Sequence, residues 1–262
     1  MDAGHFASKL RLRRAALALF VFLAACPAAA ATFKVSPIQI YLSAHKTTEL
    51  LAVENQSTES VRLQVTAFAW NQSPRGEIEL APTEDVVFFP ALLTLEPGKE
   101  RKIRIGVSKP PGAVERTYRV FVEELPPLEK PSEVGNRSEV KVLTRFGIPI
   151  FVQPAKLTKT GAIEGAKLES GTVKFQVKNK GNAAFSLLAV HASGAGADGS
   201  KTFENQAAGW YVLAGGERVY EIAVPPADCQ RTKTISVEAK TERDTWKTSL
   251  AVAPEACEPA PH

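Results

Sequence analysis

From residue 33 onward the chain is built from short alternating runs of apolar and polar residues, and the 3.6-residue period of an amphipathic helix is nearly absent. The run 61–70 is the clearest. Val61, Leu63, Val65, Ala67 and Ala69 share one face, and Arg62, Gln64, Thr66 and Phe68 share the other, which is the two-residue period of a half-buried strand. Further strands are predicted over 33–42, 49–54, 86–89, 92–95, 102–107 and 117–125. Turn signals such as Asn55-Gln56-Ser57, Ser73-Pro74-Arg75-Gly76 and Glu96-Pro97-Gly98 separate them. The pattern returns more weakly around Leu157 and over 166–168, 172–179, 186–192, 211–212, 218–224, 234–240 and 245–252, with glycine-rich turns at 194–196 and 215–216. This succession predicts an all-β chain of two immunoglobulin-like β-sandwich domains in tandem. The pattern restarts after Pro154. The expected division is therefore 32–153 for an N-terminal domain, 154–253 for a C-terminal one, and 254–262 for a frayed tail.

Residues 138–154 read as one long strand and organise the first half. Val140, Val142 and Thr144 fall on one face, and a β-branched and aromatic run closes the stretch. The same stretch contains Pro149. Proline cannot donate to a ladder, so the strand belongs at a sheet edge. An edge with alternating apolar residues invites pairing with another chain.

Residues 1–31 have the pattern of a cleaved signal peptide: basic Lys9, Arg11, Arg13 and Arg14, an apolar core over 15–25, and small Ala29, Ala30 and Ala31 before Thr32. The apolar core is short for a bilayer span. Leu23-Ala24-Ala25-Cys26 resembles a lipoprotein box, but the export pattern is complete without Cys26, and ordinary cleavage is expected. Export is the expected fate. About 230 of the 262 residues remain after cleavage, enough for two domains. The formal net charge of +4 resides largely in the leader, so nothing in the mature charge points to nucleic acid. Of three cysteines only Cys229 and Cys257 survive, and an even pair in an exported chain reads as a disulfide. It would tie a late strand to the C-terminal segment.

Catalytic chemistry is not legible. His5 lies in the leader, His262 at the tail, and His45 and His191 are far apart, so no metal-ligand spacing exists and no metal or cofactor is expected. No glycine-rich phosphate loop opens a helix. Glu123 and Glu124 are adjacent on a strand and point to opposite faces. Trp70, Trp210 and Trp246 are expected in cores or at their margins. The reading is a non-enzyme without a small-molecule substrate.

Several segments in order carry a family resemblance: Val35-Ser36-Pro37, Val53-Glu54-Asn55, 61–65, Trp70, Leu95-Glu96-Pro97-Gly98, Ile103-Arg104-Ile105, Tyr118-Arg119-Val120, Glu124-Leu125-Pro126 and 148–154. The sequence resembles a periplasmic pilus (fimbrial) assembly chaperone of the PapD-like family. Trp70-Asn71-Gln72 and 145–149 look more like its archaic-type branch. The resemblance implies an edge strand lent to a pilus subunit that lacks one, with Val140, Val142 and Thr144 filling subunit pockets, and delivery of the subunit to an outer-membrane usher. The family also implies an arginine and a lysine that bind the subunit's terminal carboxylate. The aligned positions here are Gln39 and Pro149, so that anchor does not transfer. Arg145, Arg104 and Arg119 are the replacement candidates, Arg145 first because its strand meets the subunit. Each has the alternative of a surface arginine paired with Glu123 or Glu124. The competing function is a structural pilus subunit or Ig-like adhesion protein. A subunit would show an alternating N-terminal extension before a single incomplete sandwich.

Overall fold

The computed structural model describes residues 33–126 and 142–257. The expected signal peptide, Val140 and residues 258–262 lie outside this range.

Ten strands form the first half: β1 (Phe33–Ser36), β2 (Ile40–Leu42), β3 (Thr48–Asn55), β4 (Val61–Gln72), β5 (Ile78–Pro82), β6 (Val86–Phe89), β7 (Leu92–Leu95), β8 (Glu100–Val107), β9 (Arg116–Glu124) and β10 (Arg145–Val152). They make two facing sheets, ordered β1-β3-β8-β6 and β2-β10-β9-β4-β5, with β7 also pairing with β4. The predicted strand over 33–42 is two strands. Pro37 interrupts the ladder, and the chain passes from the first sheet to the second, so β1 and β2 pair with different neighbours. Alternation fills the space between the sheets with Phe33, Val35, Ile40, Leu42, Leu51, Val53, Leu63, Val65, Ile103, Ile105, Val120, Val122, Ile148, Ile150 and Val152.

The second half repeats the plan with β11 (Gly161–Glu169), β12 (Thr172–Asn179), β13 (Phe185–Ser186), β14 (Ala189–Ala195), β15 (Lys201–Ala208), β16 (Tyr211–Val212), β17 (Glu217–Ala223), β18 (Thr234–Lys240) and β19 (Thr245–Ala251). Its sheets are β11-β12-β17, β13-β16 and β15-β14-β18-β19. A second core forms around Val173, Phe175, Val177, Val190, Ile235 and Val237. The chain is thus two immunoglobulin-like sandwiches. One buried device recurs in both. The Asn55 side chain donates to the Leu95 and Glu59 carbonyls at 2.9 and 2.8 Å and accepts from Ser57 N at 2.9 Å. The Asn179 side chain donates to Val212 and Ala183 at 3.0 and 2.8 Å and accepts from Gly181 N at 2.9 Å. Each asparagine ends a strand and satisfies the turn that follows.

Four expectations need correction. The organising strand begins at Arg145, and Val142, Leu143 and Thr144 precede it without strand structure. Leu157 lies outside any strand, while β5 and β15 were not anticipated; β5 is exposed at every position and has no buried alternation to reveal it. Cys229 ends a short helix, α1 (Pro226–Cys229), not a strand. Finally, Pro254–Cys257 is a 3-10 turn with Cys257 buried, rather than a frayed tail. The expected disulfide joins Cys229 to Cys257, and Gly171 N donates to the Ala256 carbonyl at 2.9 Å.

Candidate functional site

Among the described residues, β10 has one free flank. It pairs antiparallel with β9 along its whole length, whereas β2 joins its other side, in parallel, only from Ile150 to Val152. Residues 145–149 therefore form an open edge, and Pro149 falls inside it, where a missing N–H disrupts least. Phe146, Ile148, Ile150 and Val152 face the core, and Phe146 meets Phe33 edge-to-face at 5.1 Å. The same phase carried back two residues at a time reaches Thr144 and Val142. Glu124 N donates to the Thr144 carbonyl at 2.9 Å, one step beyond the ladder. Val142 is 78% exposed.

The outer face of this sheet can be read in rows from the register. Pro149 lies opposite Arg119, and Arg119 opposite Phe68; Gln39, one step before the Ile40–Ile150 pair, adjoins the same row. In the next row Tyr41 lies beside Phe151, and Phe151 opposite Thr117. Thr117 Oγ1 donates to the Trp70 carbonyl at 2.7 Å. The second sandwich covers this row. Trp70 and Phe151 are buried with Ala184 and Leu213, and Tyr211 packs against them. The Tyr211 ring lies 5.6 Å from Trp70 and 5.5 Å from Phe151, and Tyr41 stacks on Phe151 at 5.2 Å.

The three candidate arginines are separated. Arg104 is exposed on β8, in the opposite sheet, between Leu50 and Phe89; it is not on a strand adjoining β10. Arg145 extends over the Phe121 ring at 4.0 Å and pairs with Glu123 at 3.1 Å, both half exposed. That is the surface pairing expected as its alternative role. Arg119 differs from both. Only 9% of it is exposed, its Cζ lies 4.5 Å from the Trp70 centroid, and its buried Nε has no hydrogen-bond partner. It makes no ion pair among the described residues. Burial pushes its pKa below the ordinary guanidinium value and the nearby Tyr211 pushes it up, but a guanidinium stays charged throughout the working range. Gly147 opens the space beside it: a Cβ there would lie 3.5 Å from Arg119 Nη1 and 2.8 Å from Phe121.

Polar contacts seal the joint around these residues. Tyr41 OH donates to Gln39 Oε1 at 2.8 Å, and Gln39 Nε2 donates to Tyr211 OH. Ala184 N donates to Glu115 Oε1 at 2.8 Å, and Asn182 Nδ2 donates to the Ala113 and Lys156 carbonyls at 3.0 and 2.9 Å. Burial raises the Glu115 carboxyl above its ordinary pKa despite these contacts and Lys159 nearby. Beside the joint a cleft of about 580 Å³ is lined by Gln39, Tyr41, Tyr211, Lys159 and Arg243, among others. Sequence reasoning weighed Gln39 only as the uncharged position aligned with the family arginine and did not single out Tyr211. The available signal was Trp70 and Phe151, large rings standing out of phase with the core alternation of their strands.

Residues 32–158 match the sequence model of a family described as pili and flagellar-assembly chaperone, PapD N-terminal domain. The first sandwich is thus similar to the N-terminal domain of the PapD-like family. Its members are assembly chaperones, not enzymes. Among solved structures, a chain of the archaic CsuC–CsuE chaperone–tip adhesion subunit complex of Acinetobacter baumannii is 19% identical. That match covers 73% of this chain and 91% of that one at a TM-score of 0.53. The class 5 fimbriae chaperone CfaA is 16% identical over 85% and 99% of the two chains, and the Salmonella enterica SafA pilin–SafB chaperone complex 15% identical over 85% and 98%, both at 0.53. Archaic and class 5 PapD-like folds match equally well, so the fold alone does not single out a branch. No curated protein sequence matches significantly.

Proposed function

We propose that this chain is a periplasmic chaperone that stabilises pilus subunits by lending them the strand leading into β10, and that it passes them to an outer-membrane usher. The observation that carries the reading is the open edge at 145–149, continued in phase through Thr144 and an exposed Val142. Backbone groups on that flank supply hydrogen bonds to a partner strand, and Val140, Val142 and Thr144 offer it alternate side chains. CsuC and SafB, whose folds are similar, are described in complex with a tip adhesion subunit and a pilin. The export signal over 1–31, and a division of the mature chain at Pro154, belong to the same proposal.

Within this reading the subunit's terminal carboxylate is held by Arg119. Arg145 already spends its charge on Glu123, and Arg104 lies in the other sheet. Of the three, Arg119 combines burial, a stacked guanidinium and a buried Nε without a partner among the described residues.

The test is Val142→Asp in the full chain. Val142 is largely exposed, so thermal stability should stay within about 0.5 kcal/mol of wild type. A charge forced into an apolar subunit pocket should abolish co-purification with the subunit. Wild-type yield of the complex from this variant would remove 140–144 from the donor role.

A further inference from the structure

Tyr41, Gln39 and Tyr211 form a hydrogen-bond chain with a direction. Tyr41 OH donates to Gln39 Oε1, which leaves Gln39 Nε2 to donate to Tyr211 OH. The Tyr211 oxygen is thus an acceptor, and its own O–H has no acceptor among the described residues. Hydrogen bonds in a chain polarise one another, so a hydroxyl that already accepts one is a stronger donor. Tyr211 stands edge-on to Trp70, and the Arg119 guanidinium lies over the same indole. An unclaimed O–H from the second sandwich and an unclaimed guanidinium from the first therefore meet at one ring. Along the row between Gln39 and Arg119 stands only Pro149, and two strand spacings put those Cα atoms about 10 Å apart. The charge balance agrees: burial raises the Tyr211 pKa, while Arg119 and Gln39 pull it down, so the hydroxyl keeps its proton.

We propose that Tyr211 is a direct ligand of the subunit's terminal carboxylate, its O–H aimed by Gln39 at one oxygen while Arg119 takes the other. The proposal rests on the chaperone reading above and adds to it a residue of the second sandwich. That sandwich is then part of the recognition site and not a spacer. The site is complete only when the joint is closed.

The experiment uses two probes, a synthetic peptide of alternating valine and threonine ending in a free carboxylate and the same peptide amidated. Affinities are measured by calorimetry on the mature chain and its variants. Wild type should prefer the free acid. Tyr211→Phe keeps the ring against Trp70 and Phe151 but removes the O–H. It should weaken the free acid about tenfold or more and leave the amide unchanged, as expected for one hydrogen bond to a charged acceptor. Gln39→Ala, which lets the hydroxyl rotate, should give a smaller loss confined to the same peptide. Equal losses for both peptides would make Tyr211 a packing residue and overturn the proposal, as would no loss at all. If wild type binds both peptides equally, the donor edge stands and the carboxylate site falls. Should wild type bind neither, the donor edge fails first and this proposal with it.

Discussion

A guanidinium that is nine-tenths buried and unpaired is held at a cost to folding, because desolvation disfavours an isolated charge. Arg119 is in that position among the described residues, and the binding role proposed above would be a reason to keep it there. Arg119→Met retains contact with Trp70 and removes the charge. Its melting temperature should equal or exceed that of wild type, while affinity for a subunit ending in a free carboxylate falls by about 2–5 kcal/mol. Arg145→Ala, which breaks a half-exposed pair, should change that affinity by less than about 1 kcal/mol. A melting temperature several degrees lower for Arg119→Met, with affinity unchanged, would make the residue structural. Glu115 gives a pH signature with a definite sign. Its carboxyl is raised by burial above the ordinary value of 4.5, so the folded state favours the protonated form. The stability from this preference is fully present below the unfolded pKa and is lost as pH rises through the folded one. Glu115→Gln, whose amide oxygen still accepts from Ala184 N, should therefore gain on wild type steadily as pH rises above about 4.5. Asp85, Glu49 and Glu164 shift the other way, each lowered first by a lysine hydrogen bond, so the comparison is made as variant minus wild type. A difference that shrinks with rising pH in unfolding scans would contradict the assignment.

At the scale of elements, the disulfide pins α1 to the last turn of the chain. The two cysteines are 28 residues apart, and closing such a loop is worth about 3–4 kcal/mol in the chain-entropy model. Replacing both cysteines by serine should lower denaturant stability by roughly that amount. Thiol labelling of the denatured, unreduced wild type should find none of the pair free. Two labelled thiols would refute the bond. This pairing was legible because only two cysteines follow the expected signal peptide; their setting was not, since four residues such as Pro226–Cys229 are too few for a period to register. Strand positions followed where one face is buried and one is wet, as in β4 and β12. Legibility failed where a strand lacks that contrast: β5 is exposed throughout, and β15 buries only Phe203. The open edge of β10 was readable from Pro149. Its start at Arg145 was not, because Val142 and Thr144 keep the alternation of a strand after the ladder has ended. Arg119 could not be ranked above Arg145 in advance. Its burial comes from Trp70 and from the second sandwich, and no local pattern encodes that contact.

Among the described residues the two sandwiches touch at three places, and the proposed carboxylate site sits at the aromatic one. Glu115 meets Ala184 beside Asn182, Trp70 and Phe151 pack with Tyr211, and the turn between β4 and β5 reaches β17. That turn, Ser73 to Gly76, was predicted only as a reversal of direction. It also clasps the second sandwich: the Pro74 carbonyl accepts from Val219 N at 2.7 Å, and Gly76 rests on the Arg218 guanidinium. Gly76 is required twice over. Its φ of +85° is the left-handed region that side chains resist, and a Cβ would come within 2.6 Å of Arg218 Cζ. Gly76→Ala should cost about 1–2 kcal/mol from the backbone alone, and the turn can recover it by lifting away from β17. None of Pro74, Gly76, Arg218 and Val219 belongs to either hydrophobic core, so each sandwich should stay folded while the joint loosens. The Val219 amide reports the difference, since its acceptor belongs to the other sandwich. In Gly76→Ala its hydrogen exchange should quicken about tenfold or more, whereas Val120 and Val237 in the two cores exchange as in wild type. Uniform acceleration at all three would mean global destabilisation instead of a loosened clasp. Free-carboxylate preference should fall in parallel, because Tyr211 reaches Arg119 only across a closed joint. A variant whose Val219 amide is freed but whose preference is intact would show that the turn does not set the geometry of the site.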